Sequence, residues 1–125
     1  MQRVVSAYQL SVYGFDKKRR LITKGDYDYV FAQAKKVITP EFVILYRQNS
    51  LGYARLGLAL AKKKITKAYQ RNRLKRLVRE NFRTQHLPAV DIVFLARHGA
   101  GKVENKLIIE HLGYAWKKLN ASYAN

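Results

Sequence analysis

The sequence predicts an α+β fold, a small mixed β-sheet packed with helices in a two-layer sandwich. Two observations predict it. Helical and strand-like hydrophobic patterns alternate along the chain in the order helix–strand–strand–helix–strand–helix. Each strand pattern is short and apolar, while each helical pattern has one apolar arc, so every element needs a partner layer to bury it. The 125 residues suit one domain. We place it at 15–120, with a flexible N-terminal extension at 1–14 and a short tail at 121–125.

Residues 1–20 are mixed and end in the cluster Lys17-Lys18-Arg19-Arg20. Phe15 and Leu21-Ile22 are expected to pin this extension to the domain. Thr23 followed three residues later by Asp26 has the form of a capping box. Tyr27, Val30, Phe31 and Ala34 then fall at i, i+3, i+4 and i+7, one face of a helix over 24–36. Beyond Pro40, Phe42–Arg47 is strongly strand-like. Asn49-Ser-Leu-Gly-Tyr53 predicts a hairpin turn into a second strand at Arg55–Ala61, with a further short strand or bulge allowed in the 42–61 region.

The two faces of that second strand differ. Leu56, Leu58 and Leu60 point one way and must be core, whereas Gly57, Ala59 and Ala61 point the other way. Two arrangements demand such a small-residue face: a shallow trough for an extended polymer, or a helix packed closely on the sheet. The strand alone does not choose between them. A helix over 67–85 stops before Pro88, Ile92–Ala96 is a third apolar strand, and Gly99–Gly101 is a turn. The last helix, 104–120, presents Leu107, Ile108, His111, Leu112, Ala115 and Leu119 as its buried face, with Gly113 a weak point.

Charge is the compositional outlier. Lys and Arg number 25 against 8 Asp and Glu, a net +17, so a polyanionic partner is expected and nucleic acid comes first. There is no Cys, which excludes disulfide scaffolds, thiolate metal sites and Cys nucleophiles. No apolar run approaches the ~20 residues of a membrane span. The first residues lack the pattern of a secretory signal, so a cytoplasmic location is the default expectation.

The cations concentrate on one element. Lys62, Lys63, Lys64, Lys67, Arg71, Arg73, Lys75, Arg76 and Arg79 stand in a stretch without Asp or Glu, and Glu80 is the first acid after it. On a helical projection Leu74, Leu77, Val78 and Phe82 share one arc, and the basic residues with Asn72 spread over the rest. Solvated helices normally mix signs, because like charges at i,i+4 are unfavourable. Arg71–Lys75 and Lys75–Arg79 therefore point to an external anion. A membrane-surface helix is disfavoured because the apolar arc is short and sits between two strands. A DNA major-groove helix lacks a dimerising element or a second helix at helix-turn-helix spacing.

At these residues the chain resembles the bacterial ribonuclease P protein family. The resemblance rests on Arg55-Leu-Gly-Leu-Ala-Leu-Ala-Lys-Lys-Lys64, Lys67-Ala68, Arg71-Asn-Arg-Leu-Lys-Arg-Leu77 and Arg79-Glu80. Phe15, Arg20-Leu21, Tyr27…Val30-Phe31 and Asp91–Arg97 extend it over about 15–119. It implies a subunit of an endoribonuclease that removes the 5′ leader of precursor tRNA, with the chemistry carried by a catalytic RNA and its Mg2+ ions. No catalytic residue and no protein-bound cofactor or metal is implied, nor any membrane or obligate protein partner. It implies contact with the catalytic RNA through Lys67, Arg71, Asn72, Arg73, Lys75, Arg76 and Arg79. It also implies a leader-binding cleft lined by Tyr27, Phe31, Leu45, Ala59, Ala61 and Lys63, and a left-handed strand–helix–strand crossover. Leu45 stands where the family often has an aromatic, and Ile65-Thr66 where glycine is common, with Thr66 a candidate helix cap.

Other chemistry is poorly supported. His86, His98 and His111 lack metal-ligand spacing, and Asp26 and Asp28 diverge on a helix, where they suit its positive end. Gly99-Ala-Gly-Lys102 fails as a phosphate loop, with Ala96 and Val103 at the required Gly and Ser/Thr positions. The alternatives to the leading expectation are a charge-driven RNA chaperone or general nucleic-acid-binding protein and a free-standing metal nuclease.

Overall fold

The structure is a computed structural model that describes residues 17–123. The expected extension at 1–14, Phe15 and the last two residues lie outside that range. After a 3-10 turn at Lys17–Arg19, the elements are α1 (Lys24–Ala32), β1 (Lys35–Ile38), β2 (Phe42–Gln48) and β3 (Arg55–Ala59). There follow α2 (Ala68–Arg83), β4 (Val90–Ala96), a 3-10 turn at Ala100–Lys102 and α3 (Asn105–Ala121).

The capping box forms: the Thr23 hydroxyl accepts from Asp26 N (3.1 Å), and the Asp26 carboxylate accepts from Thr23 N (3.1 Å). The helix is shorter than its periodicity predicts, ending at Ala32. Lys35–Ile38 is instead an edge strand, antiparallel to β2, which buries Val37 opposite Ile44. The extra strand thus lies before the 42–61 region. A β-branched pair, Val37-Ile38, gains more from a sheet partner than from another helical turn.

The expected hairpin between β2 and β3 does not form. The sheet order is β1-β2-β4-β3, so β4 inserts between them, antiparallel to β2 and parallel to β3. Asn49–Tyr53 still turns, with Leu51 N donating to Asn49 Oδ1 (2.9 Å) and Gly52 at φ 86°. The connection passes the end of β4, where Asn49 N donates to Ala89 O (2.9 Å). β4 takes the centre because six of its seven residues are buried, so both its faces need covering. α2 is the crossover that joins the parallel neighbours β3 and β4.

One sheet face carries Val37, Phe42, Ile44, Tyr46, Leu56, Ile92 and Phe94, all buried in the main core against α2 and α3. α2 contributes Leu74, Val78 and Phe82. α3 contributes Ile108, Leu112, Ala115, Trp116 and Leu119. Leu107, expected in that face, is 39% exposed, and Trp116 belongs there instead. On a helix Leu107 is turned about 100° from Ile108, off the stripe. The Trp116 indole N–H reaches Asn81 Oδ1 (2.7 Å), joining α3 to α2. Partly buried His111 places Nδ1 on the buried Glu41 carboxylate.

The opposite face is only half covered. α1 lies on it through Val30, with Leu21 and Val93 completing a small second core. Tyr27 packs on Gly57 so closely that a Cβ there would sit 2.7 Å from its ring. At the α1 N-terminal end, the buried Asp91 carboxylate accepts from Arg55 Nε (2.9 Å), Arg55 Nη2 (2.8 Å) and Asn49 Nδ2 (2.8 Å). This bidentate pair ties the tops of β3 and β4 together.

Candidate nucleic-acid interface

α2 is anchored by its apolar arc, so its remaining surface is held outward. Lys67 is the N-cap residue and makes no side-chain cap. Thr66, the candidate cap, does not serve as one. Its carbonyl and that of Ile65 accept instead from Arg71 Nη1, at 3.1 and 2.8 Å. A cation four residues into the helix thereby satisfies the loop before it.

Arg73 is engaged in the same way. Its Nη2 donates to Gly101 O (2.9 Å) and Val103 O (3.1 Å), and its Nη1 to Asn105 Oδ1. Gly101 lets Gln70 and Ile65 pack against this turn, since a Cβ there would meet Gln70 Oε1 at 2.6 Å and Ile65 Cγ2 at 2.7 Å. Arg71 and Arg73 therefore lock the start of α2 to neighbouring backbone while keeping their charge at the surface. Asn72 and Arg76 are exposed, Lys75 is half-buried, and Lys67 is exposed at the helix start. Among the described residues, none of Arg71, Arg73 or Arg76 forms an ion pair with a carboxylate. Glu80, the nearest acid in sequence, is taken by Arg83 (Nε to Oε2, 2.8 Å). Arg79 is half-buried, and burial pushes its guanidinium below its ordinary value, with Arg20 adding to the effect.

The second candidate set lies on the half-covered sheet face. Tyr27 and Phe31 are neighbours on α1, with ring centroids 6.5 Å apart. Tyr27 is half-buried and receives Leu58 N on its hydroxyl (3.2 Å), whereas Phe31 is 49% exposed. Leu45 and Ala59 are half-buried in the small core beside Tyr27. Ala61 lines a shallow depression with Ala59, Leu60, Lys64, Leu95 and Ala96. Lys63 is exposed in the turn below it. The small-residue face of β3 is divided: Gly57 receives an aromatic from α1, Ala59 is half-buried, and Ala61, expected in the strand, lies exposed just past its end.

The turn Lys62–Lys64 connects this floor to α2, so the two surfaces are contiguous through three lysines. Sequence reading named Lys64 only within the cationic stretch and did not place it or Leu95 at the cleft. Leu95 is legible only once β4 is known to lie beside β3, opposite Ala59. Asp26 is held below the usual carboxylate range, chiefly by the Ile22 N–H (2.9 Å) and further by Thr23 and Arg55. Asp28 pairs with Lys24 (2.7 Å). Among the described residues no group of three or more His, Cys, Asp or Glu is placed to hold a metal, and no helix is long and apolar enough to cross a membrane.

An outward cationic helix whose one acid is paired with Arg83, joined by lysines to a half-open apolar sheet face, defines a nucleic-acid-binding protein. Comparison with known proteins makes this specific. A family model described as Ribonuclease P matches residues 15–120, and the chain belongs to that family. The ribonuclease P protein component of Legionella pneumophila (strain Lens) is 54% identical over 112 residues, covering 90% of this chain and 98% of the relative. That of Chromohalobacter salexigens is 47% identical over 113 residues, covering 88% of each chain. The solved ribonuclease P protein of Staphylococcus aureus superimposes with a TM-score of 0.75 at 29% identity, covering 82% of this chain and 97% of its own. That of Thermotoga maritima gives 0.70 at 33% identity, covering 79% and 96%. Proteins of this family are subunits of ribonuclease P, the endoribonuclease of tRNA 5′ maturation, and their part is RNA binding while the partner RNA carries catalysis.

Proposed function

We propose that α2 lies against the catalytic RNA and that the half-covered sheet face holds the 5′ leader of precursor tRNA. The observation that carries this is the cationic surface of α2, whose one carboxylate, Glu80, is held by Arg83, running through Lys62–Lys64 into the floor at Ala59 and Ala61. Arg76, Lys75, Lys67 and Asn72 meet phosphates directly. Arg71 and Arg73 add charge while holding the helix start in position, and Arg79 contributes from the half-buried flank. Neutralised phosphates release counterions, so affinity falls steeply with salt. In the trough, Phe31 and Tyr27 offer ring faces to unstacked leader bases, Leu45 an apolar wall, and Lys63 a phosphate contact at the exit.

Catalysis requires Mg2+ at the RNA. The protein's contribution is to bind substrate and moderate phosphate repulsion, so that less metal suffices. Domain limits of 15–120, with 1–14 as an extension and 121–125 as a tail, and residence in the cytoplasm complete the reading.

Reconstitution with the family's catalytic RNA tests it. Added protein should improve cleavage of leader-bearing precursor tRNA at low magnesium, and more than it improves cleavage of a substrate with a one-nucleotide leader. Equal benefit for both substrates, together with equal competition by any duplex RNA, would identify a charge-driven chaperone instead.

A further inference from the structure

A groove of about 530 Å³ lies between α2 and the start of α3, lined by Tyr69, Asn72, Arg73, Arg76, Leu77, Glu80 and Asn105. We propose that this groove holds one unpaired nucleotide of the partner RNA, with its base stacked on Tyr69. The proposal rests on the reading that α2 faces RNA.

Three observations carry it. Tyr69 is 68% exposed, the most exposed large apolar side chain among the described residues. It stands on the first turn of a helix whose neighbouring surface is cationic, where an exposed aromatic gains nothing for the fold. The groove is also a built site. Arg73 is fixed by Gly101 O, Val103 O and Asn105 Oδ1, so its guanidinium plane and the Asn105 amide are held in place. Asn105 has its oxygen occupied, which leaves its N–H groups as donors to a base edge. Finally, the groove's one acid, Glu80, is already bound by Arg83 through two nitrogens (Nε to Oε2 and Nη2 to Oε1, each 2.8 Å), so it does not neutralise Arg76.

The occupant follows from this mixture. A duplex backbone would use the cations and waste the apolar part of the groove, Leu77 and the Tyr69 ring. An unpaired nucleotide uses both, with its base on the ring and its phosphate at Arg76. Proteins recognise RNA bases mainly where they are unstacked and accessible. Base–aromatic stacking does not depend on counterion release.

That difference supplies the test, made on the full chain bound to the catalytic RNA with affinity measured over a salt series. Tyr69→Ala should raise Kd about tenfold without changing the salt slope, Tyr69→Phe should retain affinity, and Tyr69→Leu should lose it. Unfolding midpoints of all three should match the unsubstituted protein, since Tyr69 is outside the core. A Kd within twofold for Tyr69→Ala, a slope reduced by one counterion, or full affinity in Tyr69→Leu would each overturn the stack. Arg76→Ala separates the two levels. If it flattens the slope while Tyr69→Ala is silent, only the nucleotide site falls. If neither matters, α2 does not face RNA.

Discussion

The two faces of the sheet are covered to different extents. On the α2/α3 side, Phe42, Ile44, Ile92 and Phe94 are wholly buried and two long helices cover them. On the α1 side Val93 is equally buried, but Val43, Leu45, Leu95 and Ala59 are only partly covered and Ile38 is 59% exposed. Side chains that alternate along the same strands therefore experience a core on one side and an open apolar floor on the other. Stability is concentrated where the sheet is closed, and a nine-residue helix leaves the other face partly open.

The sharpest way to break this comparison is to truncate adjacent residues of β4. Phe94→Ala should cost about 3–5 kcal/mol, as for other buried aromatics, while Leu95→Ala should cost under about 2 kcal/mol because its site is already partly open. Denaturant midpoints decide it, and equal losses would erase the asymmetry.

Gly57 tests how α1 sits on the open face. Gly57→Val puts methyl groups where the Tyr27 ring lies, at 2.7 Å for the Cβ alone. Overpacking of this kind costs about 1–3 kcal/mol, and we expect leader-dependent affinity to drop while catalytic-RNA affinity holds. Competition binding with leader-bearing and leaderless precursor tRNA measures the ratio.

On the cationic helix the effect should read in salt dependence. Arg76→Ala is expected to lower the slope of log K against log salt by about 0.7–0.9, the loss of one phosphate contact. Arg73→Ala should do the same and also lower the unfolding midpoint, since its guanidinium joins α2 to the Gly101–Val103 backbone.

The smallest effect is at the α1 cap. The Asp26 carboxyl is lowered in the folded protein, so its contribution to stability is present above the unfolded carboxylate value and lost as pH falls through the folded one. Asp26→Asn should cost about 0.5–1 kcal/mol at neutral pH and nothing further on acidification. Thermal melts between pH 7 and pH 3 should bring the variant and the unsubstituted protein together.

Much of this was legible from residues alone. The Thr23/Asp26 cap, the β2 and β4 strands, the one-sided anchoring of α2 and its want of acids are all local patterns, and local patterns survive into the fold. The 55–80 motif specified the family because it is long and ordered. What sequence reading missed is non-local. Asn49–Tyr53 looks like a hairpin, yet its strands are separated by β4. Lys35–Ile38 became a strand because β2 offered it an edge. Leu107 lies off the buried stripe of α3, and Trp116 is on it.

Residue order alone set most of the element types, the +17 charge and its concentration before Glu80, because propensity, periodicity and charge need no partner to be read. Strand neighbours, and which surface cations also hold neighbouring carbonyls, were settled by the folded arrangement. It also decided that the floor at Ala59 and Ala61 lies beside Leu95. Those outcomes depend on contacts between residues far apart in the chain, and such contacts are chosen by competition for burial across the whole molecule.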